Sequence, residues 1–184
     1  MLYRYRKWTL GEDLSMFVRT HLDAASHSPG CISSSGIPMT FISTSPPKET
    51  LFVSLTTLLE YDCRVSNTPE WRKKLDSTRG AVLATEYKNN GFRLSLKATE
   101  AILAGADQIR LGFLSRRNPK DRRRHNILAV QTFKPKDLAK QLNFDIYAGW
   151  GIVKTLTDFL FGQPDGDYVL IKSPTKPVMD LFRI

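Results

Sequence analysis

From Tyr3 to Trp8 the side chains alternate: Tyr3, Tyr5 and Lys7 fall on one face of an extended segment, Arg4, Arg6 and Trp8 on the other. That period of two is the signature of a β-strand. Gly11-Glu12-Asp13 marks a turn, and residues 14–23 alternate again. Met16, Val18, Thr20 and Leu22 lie on one side, Phe17, Arg19, His21 and Asp23 on the other, so a second strand is expected to pair with the first. The stretch 24–50 reads as a loop-rich insertion, dense in Ser, Gly and Pro and broken by a short strand at Ile37–Ile42. Leu51–Leu59 has the β-branched and leucine content of a strand, although its periodicity leaves a short helix open.

Thr68-Pro69-Glu70-Trp71 predicts a helix start, with Thr68 as cap, Pro69 in the first turn and Glu70 complementing the positive end of the helix dipole. This helix should end near Gly80, and Ala81–Lys88 then reads as a buried strand that places Val82, Ala84, Glu86 and Lys88 on one face. Asn89-Asn90 offers a second cap. Beyond it Phe92, Leu96, Thr99 and Leu103 recur at helical spacing opposite Arg93, Lys97 and Glu100, and Gly105 is the stop. Residues 108–115 and 127–133 form strands around a basic loop. Pro135 opens a short helix to Leu142, a longer helix runs over residues 147–161, and Tyr168–Lys172 pairs with 178–184 in a terminal hairpin. Strands followed by mixed helices and strands predict an α+β domain, with a mixed, largely antiparallel sheet and packed helices.

The chain of 184 residues is long enough for one domain with its own core, and at 41% hydrophobic and 24% charged it sits in the globular range. No apolar run approaches the roughly 20 residues of a membrane helix. Met1–Trp8 is too basic for a secretory signal, and Cys31 and Cys63 form neither a C-x-x-C nor a Cys/His cluster. No cofactor is implied, and a reducing cytoplasm fits best.

Charge changes the picture more. The net charge is +9, and residues 116–124 hold six bases, Arg116, Arg117, Lys120, Arg122, Arg123 and Arg124, against the single acid Asp121. His125 follows directly. Such a run at the tip of a β connection points to nucleic acid or the ribosome, with a solvated loop as the plainer alternative.

The strand reading of 81–88 brings Glu86 and Lys88 to one side, and Asp23, beside His21, has the same geometry on another strand. Facing one another, Asp23, Glu86 and Lys88 could line a divalent-metal site, although a two-metal phosphodiesterase needs more carboxylates than these. A buried structural Glu–Lys pair is the alternative. Tyr3, Tyr5 and Trp8, interleaved with Arg and Lys, are candidates for stacking on RNA, against a role in core packing.

Residues 71–90, WRKKLDSTRGAVLATEYKNN, resemble the d subunit of the eukaryotic translation initiation factor three complex. The resemblance continues through YRYRKWTLG at the start, ILAG (102–105), LGFLSR (111–116), Arg124-His125, QTFKP (131–135), WGI (150–152) and YVLIKSP (168–174). It implies part of that family's cap-binding domain, with a fold similar to the decapping exoribonucleases. In those enzymes a Glu-x-Asp and a Glu-x-Lys strand motif hold metal. Glu86-Tyr87-Lys88 matches the second motif; at the first, Asp23 matches but His21 stands where Glu is expected.

The resemblance therefore implies a noncatalytic binder of capped messenger RNA in which Asp23, Glu86 and Lys88 are vestiges of a metal site. The expected partners are the small ribosomal subunit and the other subunits of the complex, with the e subunit expected for the full-length family, and no membrane. The family's N-terminal half, its tail that docks on the e subunit and its acidic C-terminal tail have no counterpart here, which predicts a fragment or a divergent short form. A metal-dependent RNA cap hydrolase and a basic protein-docking module remain as alternatives.

Overall fold

A computed structural model describes residues 2–12, 14–27, 50–61, 70–118 and 120–184. The chain divides into two compact units, residues 1–146 and 147–184. The strand expected at Ile37–Ile42, most of the 24–50 insertion, and the Thr68 cap with Pro69 lie outside the described residues.

In the first unit, β1 (Leu2–Thr9) and β2 (Ser15–Leu22) form an antiparallel hairpin in which Tyr3 opposes His21, Tyr5 opposes Arg19 and Lys7 opposes Phe17. The alternation places Thr20 and Leu22 in the interior and turns Phe17, Arg19 and His21 outward, as the sequence predicts. A four-stranded sheet follows, in the order β3 (Ala24–His27), β4 (Thr50–Leu59), β5 (Gln108–Arg116) and β6 (His125–Phe133). The sheet is mixed: β4 and β5 run parallel, and the two outer pairings are antiparallel. The open choice at Leu51–Leu59 thus resolves as strand. Parallel neighbours need a crossover, and here it is helical.

That crossover overturns a sequence expectation. After a short helix α1 (Trp71–Lys74), the span Arg79–Ala104, α2, is helical on both sides of a kink at Asn90, so residues 81–88 are helix in place of the predicted strand, while the helix expected after Asn89-Asn90 is there. The segment is rich in Ala, Leu, Glu and Lys, all good helix formers. Asn90 has non-helical φ/ψ and separates the two helical segments of α2, and its side-chain amide donates to Glu86 Oε2 at 2.7 Å. The inward stripe is Val82, Glu86, Leu94, Ala98, Ala101 and Ala104, spaced by three, four or eight residues as one helix face requires. Phe92, placed on the apolar face by the sequence reading, is 98% exposed, and Leu96 is exposed too.

The core lies between α2 and the sheet, with Trp71, Val82, Leu94, Ile109, Leu111, Phe113 and Leu138 buried. Trp71 meets Phe113 edge to face at 5.1 Å, a geometry that suits the ring quadrupoles. Helix α3 (Pro135–Gln141) begins on Pro135 as expected and buries Leu138 and Ala139. In the second unit, helix α4 (Ile146–Phe161) is followed by the antiparallel hairpin β7 (Tyr168–Lys172) and β8 (Met179–Arg183). The α+β class stands, with mixed, largely antiparallel sheets.

Candidate RNA interface

The basic run occupies the connection of the β5–β6 hairpin. Arg116 opposes His125 at the last rung, and the Arg117 N–H donates to the Arg124 carbonyl at 2.9 Å to close the loop. Inside the loop Asn118 acts as a pivot: its carbonyl accepts from the Asp121 N–H at 2.9 Å and its side-chain oxygen from the Lys120 N–H at 3.0 Å. Asp121 then accepts the Arg123 N–H on Oδ1 at 2.9 Å and lies 3.8 Å from Arg124 Nε through Oδ2. Short Asn and Asp side chains bonding the backbone two residues on are the usual way to fix a turn.

The chemical consequence follows from that division of labour. The single acid of the run faces inward onto its own loop, while Arg117, Lys120, Arg122, Arg123, Arg124 and His125 are exposed. Arginine stays charged at any physiological pH and offers a planar fork of donors suited to phosphate oxygens. Such a tip can bind a polyanion without a preformed pocket.

One residue that sequence reasoning missed braces the loop from below. Arg72 of α1 donates through Nε to Ser115 Oγ at 3.1 Å and through Nη2 to the Arg116 carbonyl. No spacing rule connects residues 43 and 44 apart; the contact exists because Trp71 packs on Phe113 and carries α1 to the end of β5.

The arginines of β1 behave differently. Arg4 Nη1 donates to the carbonyls of Ala104 at 3.2 Å and Gly105 at 3.4 Å, and Arg6 Nη1 to those of Ile102 and Leu103, both at 3.2 Å. These are carbonyls at the end of α2, beyond the reach of the i→i−4 ladder, of which Ile102's also accepts the capping Gly105 N–H at 3.0 Å, and they carry the helix's negative pole. Gly105 stops the helix with φ 64°, as predicted, and a Cβ there would meet Arg6 Nη1 at 2.5 Å. Phe52 lies under the Arg4 guanidinium at 4.9 Å and Trp8 under that of Arg6 at 4.7 Å. Trp8 is therefore part of the inner face; Tyr3 and Tyr5 are exposed on the outer one. Beside this cap a cleft of about 640 Å³ is lined by Arg6, Trp8, Lys134, Lys136, Asp107 and Asp137 among others, and its three bases are set against two acids, with Arg6 already engaged by the end of α2.

The residues assigned to a metal-like site do not converge. Asp23 accepts the Leu55 N–H at 2.7 Å and the Ser54 hydroxyl at 3.4 Å and lies 3.5 Å from His21 Nδ1, so it ties the end of β2 to β4. Glu86 and Lys88 do not share a strand face, because both lie on α2, where positions two apart point in different directions. Glu86 is buried and Lys88 exposed. Burial pushes the Glu86 carboxyl up from the ordinary value of 4.5, and hydrogen bonds from Asn90 and Trp71 pull it partly back. Among the described residues no three His, Cys, Asp or Glu side chains cluster as a metal site.

Comparison with known proteins agrees with the resemblance read outside residues 24–67 and extends it over the whole chain. Residues 1–183 match the family model described as eukaryotic translation initiation factor 3 subunit 7. The D-2 subunits of eukaryotic translation initiation factor 3 are 40% identical over 182 residues in Drosophila sechellia and 41% identical over the same length in Drosophila grimshawi. In both cases the match covers 99% of this chain and 30% of the relative. The D-1 subunit of the same factor in Drosophila ananassae is 41% identical over 182 residues, which is 99% of this chain and 29% of its own length. The chain thus spans less than a third of the relatives it matches.

Proposed function

The chain belongs to the eukaryotic translation initiation factor 3 subunit 7 family, and from that premise we propose that it is a noncatalytic part of the initiation factor that binds messenger RNA and the small ribosomal subunit. The observation that carries the RNA-binding part is the braced β5–β6 loop, where exposed cations surround one acid that is engaged by its own loop. Arg116, Arg117, Lys120, Arg122, Arg123, Arg124 and His125 are the contact residues in this reading. Its partners are the other subunits of the complex, with the e subunit for the full-length family, the ribosomal small subunit and the cap region of messenger RNA, in the cytoplasm. No helix among the described residues is long and apolar enough to cross a membrane.

A noncatalytic role agrees with the structural duties of the residues nominated for metal: Asp23 fastens a strand and Glu86 holds a helix kink. The test is a salt titration of RNA and ribosomal small-subunit binding with Arg122, Arg123 and Arg124 changed to Ala. Each lost phosphate contact on a single strand removes about 0.7 from the slope of log affinity against log salt, so the triple variant should flatten it by about two units, equally across sequences. An unchanged affinity and slope for both ligands would sink the assignment.

A further inference from the structure

The outward face of the β1–β2 hairpin repeats one chemical pattern on three successive rungs. Tyr3 stands opposite His21, Tyr5 opposite Arg19 and Phe17 opposite Lys7, so every rung pairs an aromatic ring with a basic side chain. Tyr5 is 72% and Phe17 73% exposed. Arg19 lies 5.2 Å from the centre of the Tyr3 ring, Lys7 lies 5.9 Å from that of Phe17, and Tyr3 meets His21 edge to face at 6.3 Å. Thr9 and Ser15 continue the face with hydroxyls, and the one acid beside it is Asp23 at the other end, 3.5 Å from His21 Nδ1 and anchored on the Leu55 N–H.

We propose that this face is a base-stacking platform for single-stranded RNA. The proposal rests on the RNA-binding reading above and gives it a second contact, separate from the β5–β6 loop, with a preference for unpaired nucleotides. Three physical points carry it. Rings two residues apart on a strand sit about 6.6 Å apart, an interval that an unstacked polynucleotide can follow. Aromatic faces bind any base by stacking, and cations between them meet the phosphates. The aliphatic side chains of the hairpin, Met16, Val18 and Leu22, point the other way, so the outward face offers a ligand rings, charges and hydroxyls, the groups that meet bases and phosphates. The platform is also held in place before any ligand arrives: Arg4 and Arg6 fix the inner face of β1 to the end of α2, and Thr20 Oγ1 donates to the Arg4 carbonyl at 2.8 Å.

The test is fluorescence anisotropy of the full chain with a labelled, uncapped U-rich single strand and with an RNA duplex of equal length, over a salt series. Tyr5→Ala with Phe17→Ala should weaken the single strand at least tenfold, since each stacked base is worth about five- to a hundredfold. The salt slope and the duplex affinity should stay as in the parent chain. Phe17→Trp should bind the single strand as well as the parent, with a quenching of indole fluorescence that the parent does not show. If the double Ala variant keeps its affinity while the Arg122, Arg123 and Arg124 variant loses it, the platform is wrong and the loop reading stands. If the parent chain binds neither RNA, both fall. Loss of binding to an initiation-factor subunit with RNA affinity intact would make the face a protein-docking surface and overturn the proposal. Should the double variant not fold, absence of quenching in Phe17→Trp at saturating RNA overturns it alone.

Discussion

The β1–β2 hairpin carries three arginines and the β5–β6 hairpin six, and the fold uses Arg4 and Arg6 of the first in the opposite way to the arginines at the tip of the second. In the β1–β2 hairpin, Arg4 and Arg6 turn inward and donate to the terminal carbonyls of α2. In the β5–β6 hairpin the backbone and the side chains of Asn118 and Asp121 bond to one another, and the cations are left in solvent. The difference lies in what sits beneath each ribbon. A helix C-terminus presents carbonyl acceptors and a negative pole, whereas what lies beneath the β5–β6 tip is another cation, Arg72. A net charge therefore overstates the cations available to a ligand, because part of it is structural.

The comparison breaks most visibly if the two sets of arginines prove energetically alike. Arg4→Ala with Arg6→Ala should destabilise the protein by about 2–4 kcal/mol, since hydrogen bonds to charged groups contribute about 1.5–3 kcal/mol each and these are only partly buried. At about 2–4 °C per kcal/mol for a chain of this size, the melting temperature should fall by roughly 5–15 °C. The Arg122, Arg123 and Arg124 triple Ala variant should melt within about 0.5 kcal/mol of the parent, as exposed charges do, while losing RNA affinity. Similar melting curves for the two variants would remove the distinction.

Gly105→Ala sharpens the same point at smaller cost. The left-handed φ of 64° is strained for any residue with a Cβ, by about 1–2 kcal/mol. The new methyl would also displace the Arg6 fork, 2.5 Å away. Combined with Arg6→Ala, the loss should be less than the sum of the two single changes, because both disturb one contact.

The smallest effect concerns Glu86. Its folded-state value is raised by burial, so the stability it contributes is fully present below the unfolded value near 4.5 and is lost as pH rises through the folded-state value. Glu86→Gln, which cannot ionise, should melt slightly higher than the parent at neutral pH, and the gain should shrink as the pH falls toward 4.5. A gain that grows on acidification would reverse the assigned sign.

Local pattern alone settled the β1–β2 and β7–β8 hairpins, a strand over residues 108–115, the Pro135 helix and the basic tip, because alternation, turn residues and charge density are properties of neighbours along the chain. The family resemblance was equally legible over most of the chain outside residues 24–67. The tertiary structure decided the rest. Residues 81–88 alternate well enough for a strand, but they lie on a helix whose inward stripe, Val82, Glu86, Leu94 and Ala98, packs on a sheet formed by distant segments. Glu86 became a buried brace for the Asn90 kink and not half of a metal motif. Which arginines remain for a ligand was decided the same way: Arg4 and Arg6 meet carbonyls about a hundred residues away, and Arg72 reaches the base of the loop from another element. Acceptors brought together by packing leave no trace in local spacing, so only the folded chain could separate the cations that hold it together from those it presents.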